Sequence, residues 1–330
     1  MISFVIRTLN EGAYIERTLR EIRNQVTNVP VEIIIVDSGS TDNTLEIAQK
    51  YGAKIVHISK EIWSWGRALN LGVENAKGEM IAIISGHCYL ANDAFISNAI
   101  ESLEGYDAIY GRQLPLPRMD PFEEFELSCW YPEDRLINIQ KDFLIGVSNA
   151  CCVMRKAAWE KLKFDENAQS MEDGIWAYNA LRHGFRLIYT SAIAVYHSHR
   201  FEPANVYRRW YARTLEGIKF GSLIYEKDRV YNLKQRLKKN FLLPMVFLKY
   251  SLEIKRLLMF KNGSSSLGLR VCHLFLLLKY TAIYNANKDF SQSSQKRYWE
   301  CHQPSWIDKD VKELERRIID YLGDTARQNG

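Results

Sequence analysis

The stretch that decides the fold is VEIIIVDSGSTDNT, residues 31–44. Its first part is β-branched and almost wholly apolar, which is typical of a strand buried on both faces of a parallel sheet. Asp37 ends this strand and residues 38–40 form a turn. Residues 41–44 open a helix whose apolar positions Leu45, Ile47 and Ala48 keep helical spacing. Because ligands of open α/β sheets bind beyond the carboxyl ends of the strands, Asp37 is placed to accept hydrogen bonds from a nucleotide. A carboxylate that only caps its own turn is the alternative.

Strand-like and helical patterns alternate on both sides of this stretch. The predicted strands of the first ninety residues are 2–7, 31–36, 54–58 and 80–84. Helices are predicted between them, and a helix at 92–103, a strand at 108–111, helices at 156–162 and 171–183, and strands at 185–189 and 192–196 follow. This alternation predicts a Rossmann-like α/β fold, a mostly parallel sheet flanked by helices with right-handed crossovers. The pattern ends near residue 200, so we predict a first domain at 1–200 and a helical C-terminal region at 201–330.

Composition narrows the function classes. The chain has 330 residues, a formal net charge of +5 and six cysteines. No CxxC spacing occurs, which speaks against a zinc ribbon or a thioredoxin-like site. The N-terminus shows no signal-peptide pattern, and the longest apolar runs are shorter than a membrane span of about 20 residues. We therefore expect a reduced, cytoplasmic protein. No nucleic-acid-binding motif accompanies the positive charge.

Five motifs, taken together, are informative. They are VIRTLNEG (5–12), IIVDSGSTDNT (34–44), GRALNLG (66–72), MEDG (171–174) and VYHSHR (195–200). Together they resemble family 2 glycosyltransferases of the GT-A fold that build bacterial surface polysaccharides, over about residues 2–209. The resemblance implies an inverting enzyme that moves a single sugar from a nucleoside-diphosphate sugar to a saccharide acceptor, lipid-linked in capsule or O-antigen biosynthesis.

The resemblance also implies a set of donor-binding residues. In such enzymes the turn that matches residues 8–11 and the acid that matches Asp37 hold the base and ribose, and a carboxylate suits this task because it accepts hydrogen bonds. The expected donor-binding residues are Thr8, Asn10, Glu11, Asp37, Ser38, Ser40, Arg67, Asn70 and Arg200. Other interpretations stay open at this point: Glu11 as an acid favoured by a helix dipole, and Arg67 as a solvated helix residue.

The chemistry is expected from the acidic pair Glu172 and Asp173. An inverting transfer needs a carboxylate that takes the proton of the acceptor hydroxyl as its oxygen attacks the anomeric carbon, and Asp173 matches the family's base. The alternative is an acidic first turn that stabilises its helix. Residues 111–113 and 146–150 fall where such enzymes shape the acceptor site, although core packing explains their small side chains equally well.

The chain departs from the family at residues 85–87. An Asp-x-Asp motif is normal there and binds a divalent metal on the donor diphosphate, but this sequence reads Ser-Gly-His. Histidine can coordinate Mn²⁺ but is a poor ligand for Mg²⁺, since hard ions prefer oxygen ligands. The candidate ligands are His87, His197 and His199. Alternatively, no metal binds and the diphosphate is neutralised by His87 with Arg200 or Arg208, or the histidines are packed or surface residues.

Two questions of partnership stay open. The basic, aromatic helical patterns beyond residue 205 suit an anionic membrane surface on the inner face of the membrane, but an ordinary helical cap or an oligomer interface explains them too. A non-catalytic nucleotide-sugar- or glycan-binding subunit is the rival function, because the acidic metal motif is missing. A nucleotidylyltransferase is disfavoured, since no glycine-rich phosphate loop follows the first strand.

Overall fold

One mixed β-sheet forms the centre of the described part of the protein. The computed structural model describes residues 1–116, 127, 131, 135–136, 146–168, 170–198, 210–212 and 214. Its strands are β1 Ile2–Thr8, β2 Val31–Asp37, β3 Lys54–His57, β4 Met80–Ser85, β5 Tyr89–Leu90, β6 Ala108–Leu114, β7 Arg135–Leu136, β8 Cys151–Arg155 and β9 Leu187–Tyr196. They lie in the order β3-β2-β1-β4-β8-β6-β9-β5, and β7 pairs with β9.

The predicted α/β architecture is confirmed, with one addition. The strands β1 to β4 are parallel, as the alternation predicts. β8, however, runs antiparallel between β4 and β6, so the sheet is mixed. The parallel half contains the long apolar runs. Both neighbours of β1, which are β2 and β4, belong to this half.

Helices cover both faces of this sheet. They are α1 Ile15–Arg23, α2 Thr44–Lys50, α3 Trp65–Glu74, α4 Phe95–Ser102, α5 Lys156–Lys161 and α6 Glu172–Arg182. Phe4 and Ile6 of β1 pack in one core with α1, α2 and α4. Val5 packs in the opposite core with α3, α5 and α6. Since side chains alternate along a strand, Arg7 points to the α3 and α6 face and Thr8 to the α1 and α2 face.

The two strands predicted at 185–189 and 192–196 are one strand, β9. Its register against β6 shifts between Gly111 and Arg112, where Thr190 and then Ala194 are the partners. This bulge explains the interrupted pattern that suggested two strands. Gly111 is required there, because a Cβ would lie 2.3 Å from the Cys151 sulfur. β6 also runs on to Leu114, three residues beyond its predicted end.

Several predictions fall outside the described residues. These include His199, Arg200, Arg208 and most of the C-terminal helical region, so the domain boundary at 200 stays a prediction. No helix in the described part of the chain is long and apolar enough to cross a membrane.

Candidate active site

Asp37 lies at the carboxyl end of β2 and is almost completely buried, with 1% of its surface exposed. Its carboxylate accepts hydrogen bonds from the Thr8 hydroxyl at 3.1 Å, from the backbone N–H groups of Gly39 and Ser40 at 2.9 Å each, and from the Ser40 hydroxyl. Burial acts to raise the pKa of Asp37, but the bonds from Ser40, Gly39 and Thr8 outweigh it and lower the pKa. Asp37 is therefore an ionised anchor at this sheet end.

The loops after β1 and β2 are joined by further hydrogen bonds. Asn10 has a left-handed backbone with φ of 57°. Its side-chain oxygen accepts from the Thr41 N–H at 2.8 Å, and its own N–H donates to the Ser40 hydroxyl at 2.9 Å. The Ser38 hydroxyl donates to the Thr8 carbonyl at 3.2 Å. The structure thus brings together the residues predicted to hold the base and ribose, at the carboxyl ends of two adjacent parallel strands.

A row of polar side chains runs from β1 to β9. The Nδ1 of His87 lies 3.0 Å from a Glu11 carboxylate oxygen, and the Nε2 atoms of His87 and His197 are 3.2 Å apart. The Nδ1 of His197 lies 2.7 Å from the Gln113 side-chain oxygen, and the Gln113 amide donates to the Tyr131 hydroxyl at 2.6 Å. The imidazole rings are stacked, with centroids 5.1 Å apart. Glu11, His87 and His197 therefore form one group.

This row constrains the tautomers of both histidines. A carboxylate accepts only, so His87 donates from Nδ1 to Glu11; the Gln113 oxygen likewise accepts from Nδ1 of His197, since the amide nitrogen faces Tyr131. The two Nε2 atoms then face each other, an arrangement that a cation or one shared proton stabilises. A histidine that binds a metal through one ring nitrogen usually donates a hydrogen bond from the other ring nitrogen to an oxygen atom. The two Nε2 atoms are therefore placed as two adjacent ligands of one ion would be, although among the described residues no three His, Cys, Asp or Glu side chains are arranged so that they could hold a metal ion.

The acidic pair begins α6. Met171, with φ of 61°, turns the chain into the helix. Glu172 is 7% exposed, and its carboxylate accepts from Arg7 at 2.9 Å. Asp173 is only half-buried. Its carboxylate accepts from the Gly174 N–H at 2.7 Å and from the Asn149 N–H at 3.3 Å. Asp173 is therefore the member of the pair that reaches toward solvent.

Arg67 and Asn70 of α3 bond to the 162–168 segment. Arg67 donates to Glu166 at 2.7 Å. The Asn70 amide donates to Glu166 and to the Phe164 carbonyl at 3.0 Å each, and it accepts from the Trp159 indole at 2.9 Å and the Phe164 N–H at 3.0 Å. The hydrogen bonds from Asn70, and then those from Arg67, lower the pKa of Glu166. All the hydrogen-bonding groups of Asn70 are thus used within the protein, so a donor contact would require breaking one of these bonds.

Residues 3–163 match the profile of glycosyl transferase family 2. This stretch of the chain belongs to that family. The chain is 26% identical over 224 residues to the O-antigen chain rhamnosyltransferase WbaN of Salmonella anatum, covering 63% of this chain and 70% of that protein. It is 26% identical over 226 residues to RfbN of Salmonella typhimurium, which has the same description. The prediction of a glycosyltransferase is confirmed.

Two solved structures have a similar fold. The mannosyltransferase PcManGT of Pyrobaculum calidifontis, in complex with GDP-Man and Mn²⁺, has a TM-score of 0.49 and 15% identity, over 89% of this chain and 76% of that one. TarS of S. aureus, residues 1–349, has a TM-score of 0.47 and 17% identity, and the match covers 90% of this chain and 93% of that one.

Some residues of this glycosyltransferase site were not singled out from the sequence. They are Arg7 and Glu166. Gln113 and Asn149 were predicted only as parts of the acceptor-site segments 111–113 and 146–150, without their contacts to His197 and Asp173. A signal existed for Arg7, because it is the only charged residue in the strand ISFVIRT. For Glu166 no signal existed, since its partners Arg67 and Asn70 are distant in the chain.

Proposed function

We propose that this glycosyltransferase transfers one sugar, with inversion, from a nucleoside-diphosphate donor to a lipid-linked saccharide in O-antigen assembly. The names of the two Salmonella relatives support a role in O-antigen synthesis and suggest that the donor carries a rhamnosyl group. Donor binding is assigned to the Asp37 group and the loop around Asn10. Contacts of residues 201–330 with a membrane surface or a second copy remain predictions of the sequence.

The observation that carries this proposal is the position of Asp173. It is the half-buried acid of the pair, at the start of α6, while Arg7 neutralises its neighbour Glu172. In the reaction, the acceptor oxygen forms a bond to the anomeric carbon while the bond from that carbon to the phosphate oxygen breaks. The hydroxyl proton passes to the Asp173 carboxylate, and the nucleoside diphosphate leaves with the electron pair.

His87 and His197 are the residues that would hold a divalent ion. Such an ion, when bound, would neutralise the negative charge of the leaving diphosphate. The protein's own contribution is the orientation of both rings: Glu11 and Gln113 fix Nδ1, so that both Nε2 atoms face one point. His199, the third predicted ligand, lies outside the described residues.

The donor and the stereochemistry are tested together. A panel of UDP-, GDP- and dTDP-sugars is screened by thermal shift, because a ligand that binds only the folded state raises its apparent stability. The donor that binds is then incubated with a saccharide acceptor, and the anomeric configuration of the product is read by NMR. We expect a deoxyhexosyl donor and an inverted linkage. Retention of configuration would contradict the single-displacement step.

A non-catalytic binding subunit is the second candidate. The observation in its favour is the Ser85-Gly86-His87 sequence, which offers no carboxylate where the family normally has two. A donor hydrolysis and transfer assay with and without Mn²⁺ separates the two functions. Donor binding without any turnover under either condition would favour the binding subunit.

A further inference from the structure

Arg7 is a charged residue in a strand whose other residues are fully or almost fully buried. Its side chain is 14% exposed. An arginine in such a place is costly unless its charge is paired and its N–H groups are hydrogen-bonded. Arg7 meets both conditions through two neighbouring residues, Glu172 and Trp65. Its guanidinium pairs with Glu172 and donates to the Trp65 carbonyl at 3.3 Å.

The guanidinium is also held from one side by an aromatic ring. It lies 4.6 Å from the centroid of the Trp65 ring, within the range of a cation–π interaction. Trp65 is the first residue of α3, and Glu172 is the first residue of α6. A single side chain from β1 therefore joins the starts of two helices, and one of these carries the proposed base.

Glu172 and Asp173 are coupled through a common neighbour. The Asn149 side chain lies 3.4 Å from the same Glu172 oxygen that Arg7 contacts, and the Asn149 N–H donates to Asp173. Asn149 is 2% exposed, and its side-chain oxygen has no hydrogen-bond partner among the described residues. Movement of Glu172 would therefore shift Asn149 and, with it, the N–H that holds Asp173.

We propose that Arg7 is a positioning residue, which acts through Glu172 and Asn149 to hold the Asp173 carboxylate where it meets the acceptor hydroxyl. Glu172, predicted from the sequence as part of the catalytic pair, is then a link in this arrangement and not a second base. The inference rests on the proposed function, because it assigns to Asp173 the role of base. A base displaced by about 1 Å lowers the rate by about 100-fold.

The test compares Arg7→Met, Glu172→Gln and the double variant with the wild type. We expect kcat to fall about 100-fold in Arg7→Met, while the donor Kd and KM stay within about twofold. Because the two residues act as one unit, the double variant should be no slower than the slower single variant. Arg7→Lys, which keeps the charge but not the planar fork, should recover part of kcat.

Arg17→Met is the matched control. Arg17 also has one ion pair, with Glu21 at 2.9 Å, and one aromatic partner, Tyr89, at 4.1 Å, but it lies on α1. We expect its kcat to be unchanged. If Arg7→Met does not fold, Glu172→Gln carries the test, since it keeps the size of the side chain.

Three results would overturn the inference. The first is a normal kcat in Arg7→Met, or in Glu172→Gln where only that variant folds. The second is a donor Kd that rises as much as kcat falls, which would make Arg7 a donor contact. The third is additive losses in the double variant. Asp173→Asn, measured alongside, separates this failure from that of the proposed function: if that variant retains full transfer, the base assignment itself is wrong, whatever Arg7 does.

Discussion

Two aspartates of this glycosyltransferase illustrate how surroundings assign a role to one residue type. Asp37 is buried and accepts bonds from Thr8, Gly39 and Ser40. Asp173 is half-buried at the start of a helix, and two of its bonds come from backbone N–H groups. The first arrangement fixes an anion in place. The second leaves a carboxylate near solvent, where an acceptor hydroxyl can approach.

The hydrogen bonds of Asp37 predict a specific pH dependence of stability. Its pKa is lower in the folded protein than the ordinary value near 3.8. The ionised carboxylate therefore stabilises the fold above the unfolded pKa, and this contribution is lost as the pH falls through the lower folded pKa. Asp37→Asn should reduce the free energy of unfolding at pH 7 by about 1–3 kcal/mol, and the difference from wild type should shrink below about pH 4.

Urea unfolding at several pH values between 3 and 7 measures this difference. The exposed Asp93, changed to Asn, is the control and should show little effect at any pH. A difference for Asp37→Asn that is as large at pH 3 as at pH 7 would show that ionisation contributes nothing.

At the scale of elements, α3 supports the segment that leads to the proposed base. The motif GRALNLG suggested donor contacts, yet Arg67 and Asn70 both bond to residues 164–166. Gly66 allows the close approach, because a Cβ there would lie 2.1 Å from the Asp165 carbonyl oxygen. Residues 164–166 precede Asp173 by less than ten positions. We therefore expect the helix α3 to influence catalysis through the placement of α6.

Asn70→Leu should destabilise the protein and also slow it. The change leaves the buried Trp159 indole, the Phe164 N–H and the Phe164 carbonyl without their partner. Unsatisfied groups of this kind cost about 1–3 kcal/mol each, so we expect a loss of about 2–4 kcal/mol after relaxation. Urea unfolding and kcat are the measurements.

Asn75→Leu, at the C-terminal end of the same helix, is the matched control. Its amide makes one bond, to the Leu71 carbonyl at 2.9 Å. We expect a loss below about 1 kcal/mol and an unchanged kcat. Equal effects of the two substitutions would contradict the role assigned to α3.

At the scale of the whole described unit, the sheet joins distant parts of the chain at one end. His87 and His197 are 110 residues apart in sequence. They meet because β5, which begins two residues after His87, pairs with the end of β9, with Tyr89 opposite Tyr196. Arg7 and Glu172 are separated by 165 residues and meet because β1 faces α6 across the core. The candidate site is thus assembled by the topology of the sheet.

The proposed role of His87 and His197 as metal ligands predicts which ions the site prefers. Imidazole nitrogen suits Co²⁺, Ni²⁺ and Zn²⁺, whereas Mg²⁺ prefers oxygen. With a nucleoside diphosphate bound, Co²⁺ should bind at least about tenfold more tightly than Mg²⁺. His87→Asp, which replaces a nitrogen ligand by an oxygen ligand, should reduce the ratio of the Co²⁺ affinity to the Mg²⁺ affinity. His87→Ala should weaken the binding of both ions.

Calorimetry of the ions on the nucleotide-bound protein gives these affinities without turnover. His183→Ala, at an exposed histidine after α6, should behave as wild type. Equal affinity for Co²⁺ and Mg²⁺, unaffected by His87→Ala, would exclude the pair as ligands.

The sequence predicted what local patterns determine. The apolar runs located β1 to β4, and Asp37 after such a run was expected at a ligand-binding edge. Local patterns could not show which partner a polar residue would choose. Asn70 has the same helical spacing whether it faces a donor or Trp159, and β9 was divided in two because a bulge interrupts its pattern. Arg7 and Glu172 needed the packing of β1 against α6, which no short stretch contains.

The central claim is that Asp173 removes the acceptor proton, and Asp173→Asn tests it most directly. Transfer rate and donor affinity are measured on this variant, on wild type and on the exposed control Asp93→Asn. We expect transfer to fall at least about 100-fold, with the donor Kd within about twofold of wild type and the control fully active. Full transfer activity in Asp173→Asn would contradict the account.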